Sequence, residues 1–317
     1  MAGRIEAICT SVRTGMPKTP VQAVQLRAHH GIDGDAHGGP GHRQISILGW
    51  ADLESFKRTS GMALVAGAFA ENLVISGLEL GALGLGSRLR VGADAVLSLT
   101  QLGKRCHHRC AIYHQTGDCI MPRAGLFARV LASGSLAVGD AAEIEARVGR
   151  SVVQAVVLTL SDRCAAGTAR DTTGPAVAKL VRESLDAHIY ATEILPDGRT
   201  GLAERLRHFA DERGVDLVIA AGGTGPAPRD ETPEAVRDVV ERLTPGFDEV
   251  MRSSSLANTK LAMLSRACSG IRGSTLILSL PGSERAAVEN LAAIIPALPH
   301  CLAKLRGDPA DCGSPSP

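Results

Sequence analysis

Along the second half of the chain, apolar positions fall into two alternating kinds of run. Short, nearly unbroken apolar runs at 152–160, 190–195, 217–221 and 275–280 predict strands. Longer stretches at 174–187, 202–213, 233–243 and 284–305 carry apolar residues three and four apart and predict helices. Strand and helix in alternation predict a three-layer, doubly wound α/β sheet, in which ligands bind beyond the carboxyl ends of the strands. The first half reads differently. Its predicted strands, at 4–9, 44–47, 72–75, 88–91, 95–101, 125–130 and 141–144, are short and separated by Gly-rich turns. One helix is expected near 51–60. This pattern predicts a β-rich, barrel-like domain. The pattern changes between 146 and 151, so domains are expected over 1–148 and 152–306. A disordered tail rich in Gly, Pro and Ser is expected over 307–317.

Composition narrows the class. The 317 residues are 44% hydrophobic and 21% charged, as in globular domains, and only 3% aromatic. The core must therefore be built from Ala, Val, Leu and Ile. Residues 1–148 hold 15 Lys+Arg against 12 Asp+Glu, and the net charge of the whole chain is +1. Neither half has the basic bias of a nucleic-acid binder. Residues 1–10 lack the apolar core of a signal peptide, and no apolar run reaches the roughly 18 residues of a bilayer span. No membrane partner and a cytoplasmic location are expected. Eight cysteines in such a chain should be thiols or ligands rather than a disulfide framework.

The most informative stretch is GGTGPAPRDETPEA, 222–235, between a buried-strand run and a helix. Gly222, Gly223 and Gly225 permit sharp turns and close approach of a ligand to the backbone. Thr224 supplies a hydroxyl, Arg229 a cation and Asp230 a carboxylate. Thr232 is expected at the N-cap, with Pro233 first in the helix. This order of groups suits an anionic, metal-bound phosphate. Ser161 and Asp162, Asp197, and Pro281-Gly282-Ser283 all follow predicted strands, so they should share one edge of the sheet with this loop. Asp197 and Asp230 could together hold Mg²⁺. Ser161, Asp162 and Thr224 could hydrogen-bond a ring and its phosphate, and Arg229 and Arg266 could pair with phosphate oxygens. Arg163 and Arg272 are expected on the solvated surface.

These pieces, with Leu160-Ser161-Asp162-Arg163, Leu195-Pro196-Asp197, Pro245-Gly246-Phe247, Leu264-Ser265-Arg266 and Leu280-Pro281-Gly282-Ser283, stand in the order found in the bacterial molybdopterin adenylyltransferases of the MogA/MoaB group. The chain resembles that group from about 153 to 306. The resemblance implies transfer of AMP from Mg-ATP to the terminal phosphate of molybdopterin, with Asp197 and Asp230 as the important acids. It also implies a trimer or a multiple of it, and a molybdenum-insertion protein downstream. A non-catalytic carrier of molybdopterin or finished cofactor would use the same glycine loop without needing the two acids.

In the first half the densest chemistry is Cys106, His107, His108, Cys110, His114 and Cys119, among Lys104, Arg105 and Arg109. Neighbouring cations favour thiolates. The group could close a metal site, or offer a reactive thiolate that carries sulfur or ligates a soft metal. With 31–48 and 71–92, the region resembles a MOSC domain, a module associated with binding the cofactor or transferring sulfur. Cys110 best matches that family's cysteine and would be the ligand for molybdenum; Cys106 and Cys119 are additional thiols. Cys9 is expected to be structural, and His37 and His42 to be structural or anion-contacting.

Overall fold

The computed structural model describes residues 2–61, 64–103, 113 and 117–309. The chain divides into two compact units, 1–151 and 152–317.

The N-terminal unit is built on strands β1 (Gly3–Thr10), β2 (Thr19–Val21), β3 (Ala23–Arg27), β4 (Gly31–Ile32), β5 (Ile45–Gly49), β6 (Leu73–Ser76), β7 (Arg88–Val91), β8 (Ala95–Leu102), β9 (Leu126–Ala132), β10 (Gly134–Ala137) and β11 (Ala141–Ala146). Eight of them form one sheet in the order β11-β7-β8-β9-β5-β6-β1-β2. β11 also pairs antiparallel with β1, Gly3 opposite Ala142, so the sheet closes into a barrel. Ile5, Ile47, Leu73, Leu89, Leu97 and Val130 fill its interior. Helix α1 (Trp50–Ser60) and the short α2 (Met121–Ala124) are joined by a second cluster of Leu53, Phe56, Phe69 and Phe127. β2, β3, β4 and β10 escape the sequence pattern. Most of them are short, and their solvent-facing positions break the apolar alternation.

The C-terminal unit is the expected α/β layer. Its sheet runs β13 (His188–Leu195), β12 (Gln154–Leu160), β14 (Leu217–Ala221), β17 (Thr275–Leu280), β16 (Gly270–Arg272) and β15 (Arg242–Leu243). β13, β12, β14 and β17 are parallel, and the last two are antiparallel. Every residue of β12, β14 and β17 is buried, which is why these strands read as unbroken apolar runs. From β12 the chain first pairs on one side, with β13, and then returns to the other side as β14. A topological switch point therefore lies at the carboxyl end of β12.

The helices of this unit are α3 (Asp162–Ala165), α4 (Thr173–Leu185), α5 (Arg199–Arg207, continued by a π turn to Arg213), α6 (Thr232–Arg237), α7 (Pro245–Leu256), α8 (Glu284–Ile294) and α9 (Leu298–Leu305). The continuous stretch Glu284–Leu305 is long and apolar enough by composition to cross a membrane. Its buried stripe, Ala287, Leu291, Ile294, Leu298 and Leu302, packs in the core with sheet residues Ile219 and Leu278.

Two of the predictions for the C-terminal unit are corrected by the structure. The helix predicted over 233–243 ends at Arg237, and its last residues become the edge strand β15. β-Branched Val239 and Val240 favour that outcome, and Glu241 and Thr244 donate to the carbonyls of Ile271 and Ser269. Thr232 is not the N-cap but the first helical residue. Glu231 precedes it, and the Thr232 amide donates to the Gly223 carbonyl at 3.1 Å. The tail beyond 309 lies outside the described residues.

Candidate active site

A cleft of about 500 Å³ opens at the carboxyl ends of β12, β13, β14 and β17. Ser161, Asp162, Asp197, Gly222, Gly223, Arg229, Asp230, Gly282 and Ser283 all line it. Each is placed by the turn that ends its strand. Ser161 leaves β12, caps α3 by accepting the Cys164 amide at 3.3 Å, and donates its own amide to the Leu195 carbonyl. Asp162 and Asp197 lock two neighbouring turns reciprocally. The Asp162 amide donates to Asp197 Oδ2 at 3.3 Å, and the Asp197 amide to Asp162 Oδ1 at 3.0 Å.

The glycine loop is shaped by steric necessity. Gly222 has φ of +121°, and a Cβ there would lie 2.3 Å from the Leu160 carbonyl oxygen. Only a glycine lets β14 turn this close to the end of β12. Asp230 closes the loop: its Oδ2 accepts the Ala227 amide at 3.1 Å. Asp197 and Asp230 thus each spend Oδ2 on a backbone amide, and among the described residues Oδ1 of each has no protein partner. Two carboxylate oxygens in one cleft fit the donor set of Mg²⁺, which takes few protein ligands and completes its shell with water and phosphate.

The remaining predicted residues lie beside the cleft. Thr224, Gly225 and Pro281 border a second, more apolar cavity of about 250 Å³, with Ala262 and Leu264. Arg266 does not face the cleft as a free cation. Its guanidinium donates to the Gly225 carbonyl at 3.1 Å, the Asp230 carbonyl at 2.9 Å and Glu234 at 2.6 Å. It holds the glycine loop from behind. Arg272, expected in solvent, binds Asp211 through Nε and Nη2 and the Val239 carbonyl through Nη1, tying the π turn to the sheet edge. Ser283 stands at the N-cap of α8 but makes no capping hydrogen bond through its side chain.

Several cleft residues went unread in the sequence. Arg163, exposed as expected, also lines the cleft, and Arg170, Asp171 and Thr173 join it. Asp171 accepts Thr159 Oγ1 at 2.8 Å and the Gly174 amide at 2.9 Å, so it fixes the start of α4 to the end of β12. Thr173 Oγ1 donates to the Gly282 carbonyl at 2.9 Å. The available signal was the polar run Arg170-Asp171-Thr172-Thr173 just before a Gly-Pro helix start.

In the N-terminal unit, Cys106 and Cys110 lie outside the described residues, as do His107, His108 and His114. Cys119 is half-buried beside the α1–α2 cluster, its amide bound to Asp118 Oδ1. Cys9 is buried, and burial together with nearby Glu71 pushes its thiol up to about 12. His37 Nδ1 sits 3.1 Å from Lys18 Nζ and 3.3 Å from Asp35 Oδ1, a structural setting.

Residues 156–300 match the family described as a probable molybdopterin binding domain, and residues 33–143 match the MOSC domain. The molybdopterin adenylyltransferase of Helicobacter pylori (strain J99) is 40% identical over 153 residues, which span 48% of this chain and 87% of that protein. The chain belongs to the molybdopterin adenylyltransferase family. The same half is 39% identical over 146 residues to the molybdenum cofactor synthesis protein cinnamon of Drosophila melanogaster, a match that covers 24% of that longer protein. A solved MoaB structure from Thermus thermophilus is 42% identical, with a TM-score of 0.47, and covers 50% of this chain and 100% of its own. Both halves of the sequence resemblance are borne out by the family matches. In this adenylyltransferase-family chain, the matched C-terminal region contains the whole cleft, and the MOSC match lies within the barrel unit.

Proposed function

We propose that the cleft adenylylates molybdopterin at the expense of Mg-ATP. The terminal phosphate oxygen of molybdopterin attacks the α-phosphorus of ATP. A new P–O bond forms, the bond between the α-phosphorus and the bridging oxygen breaks, and pyrophosphate leaves. The observation that carries this reading is the pair of carboxylate oxygens, Asp197 Oδ1 and Asp230 Oδ1, left without a partner among the described residues, in a cleft floored by a glycine loop. Mg²⁺ held there would neutralise phosphate charge. The chain's own residues bind and orient. Gly222 and Gly223 let the backbone approach phosphate oxygens, and Arg229 pairs with them. Ser161, Asp162 and the Pro281-Gly282-Ser283 turn position the pterin and its phosphate. Thr224 and Arg266 act through the loop rather than on substrate.

The product would pass to a molybdenum-insertion protein, and the chain would work as a cytoplasmic homo-oligomer. The MOSC unit would bind the cofactor or move sulfur through Cys110. The test is incubation of the pure chain with ATP and Mg²⁺, with and without molybdopterin. Pyrophosphate release that requires molybdopterin, with adenylated pterin as co-product, is expected. Pterin binding without either product would make the chain a carrier.

A further inference from the structure

Arginines elsewhere in the C-terminal unit are largely spent on protein partners. Arg199 binds Asp238, Arg205 binds Glu193, Arg272 binds Asp211 and Arg306 binds Asp216. The three that line the cleft, Arg163, Arg170 and Arg229, differ. Among the described residues none of these guanidinium groups has a hydrogen bond or an ion pair. They come from three segments: α3, the connection from α3 to α4, and the glycine loop. A guanidinium that lines a concave site and is left without a carboxylate is suited to a phosphate, which it can grip through two parallel N–H donors.

The balance of charge adds a condition. Five carboxylates line the same cleft as the three guanidinium groups, a net of two negative charges at neutral pH. A bare polyphosphate would meet net repulsion there, whereas a polyphosphate carrying a divalent cation would not. We infer that Arg163 and Arg170, together with Arg229, form the seat for the pyrophosphate portion of the nucleotide, and that the cleft accepts this group only as its divalent-metal complex. The choice of ligand rests on the nucleotide-dependent reading above. Of these three residues, only Arg229 was expected at the site from sequence.

Titration calorimetry of the intact chain with inorganic pyrophosphate tests the assignment without turnover. Wild-type protein binds in Mg²⁺ and loses binding in EDTA. Arg163→Gln and Arg170→Gln each weaken affinity roughly tenfold, the scale of one charge-assisted hydrogen bond. Arg170→Lys keeps an intermediate affinity, because charge survives while the two-pronged grip does not. Arg182→Gln, on α4 but outside the cleft, binds as wild type. Thermal melting of all four variants stays at the wild-type value. Unchanged affinity in both glutamine variants overturns the seat, as does an equal loss in Arg182→Gln. Equal binding in EDTA overturns the metal condition. Arginine-dependent pyrophosphate binding without any adenylated pterin would leave the seat standing and remove the catalytic reading. Adenylated pterin with arginine-independent pyrophosphate binding would do the reverse.

Discussion

The loops of the barrel unit and the cleft of the α/β unit spend their charged residues in opposite ways. In the barrel, Lys18 and Asp35 have fully buried side chains and contact each other at 2.5 Å, and Asp35 also takes the amides of Ser11 and His37. Glu71, equally buried, accepts the Gly67 and Phe69 amides. These groups are used up in holding loops, including the Gly-rich stretch 31–48. In the α/β unit the carboxylates at the strand ends keep oxygens in reserve, and the cleft arginines keep whole guanidinium groups. A glycine-rich motif with nearby charges is therefore not enough to mark a site. What marks it is whether those charges still lack partners after folding.

Breaking the buried pair should give the largest effect. Asp35→Ala strands the Lys18 ammonium in the core, and the loss should be about 3–5 kcal/mol. Trp50 is the chain's only tryptophan and lies in α1 of the barrel unit, so its fluorescence in a denaturant titration reports that loss. Nucleotide binding in the other unit should survive below the transition. An Asp35→Ala transition at the wild-type midpoint would mean the pair is not structural.

Gly222→Ala should act on the other unit. The added methyl meets the Leu160 carbonyl in a backbone conformation that only glycine adopts easily, a strain of about 1–3 kcal/mol. Displacement of the loop should cut adenylyl transfer about a hundredfold while the Trp50 transition stays in place. Retained turnover would show that the loop tolerates the shift.

Much of this contrast was legible beforehand, and the reason is physical. β12, β14 and β17 are buried on both faces, so their apolar runs marked out the sheet. A parallel sheet then sends Ser161, Asp197 and Gly222 to one edge. The roles of the arginines were not legible. Arg266 and Arg163 depart from their expected roles because sequence does not reveal which side of a loop another segment will cover. Arg266 is drawn behind the loop by Glu234 and two carbonyls, and Arg163 is left in the cleft. The helix foreseen over 233–243 failed for a similar reason, since pairing with β16 outweighs the local apolar spacing.

The units should also part in their response to acid. Burial lowers His188 and His208, with Arg182 beside the first and Arg213 and Arg205 beside the second. The unfolded chain then takes up their protons first. The stability they contribute is full above the ordinary histidine value of 6.5 and is lost as pH falls from there through the lowered folded values. In the barrel, burial works against the Asp35 carboxylate, but hydrogen bonds from His37 and Lys18 hold it well below its ordinary 3.8. Its contribution persists until pH falls below that value. Replacing both histidines with glutamine should flatten the pH 5–7 dependence of melting for the α/β unit and leave Trp50 fluorescence unaffected. An unchanged pH profile would remove the histidines from the account.

The smallest effect is expected at Arg266. Arg266→Lys keeps the exposed ion pair with Glu234 but not the simultaneous grip on the Gly225 and Asp230 carbonyls. Stability should fall by less than about 1 kcal/mol. The KM for ATP should rise with little change in pterin affinity, as suits a residue that acts through the loop. An equal loss of pterin affinity would place Arg266 on the substrate itself.

In the proposed reaction Asp230 serves the metal-bound nucleotide and not the pterin. Adenylated pterin formation and pterin binding, measured together in Asp230→Asn, test it most directly. The product should be abolished while pterin affinity stays within a few-fold of wild type. Turnover near the wild-type rate, or loss of pterin binding in parallel with turnover, would contradict it.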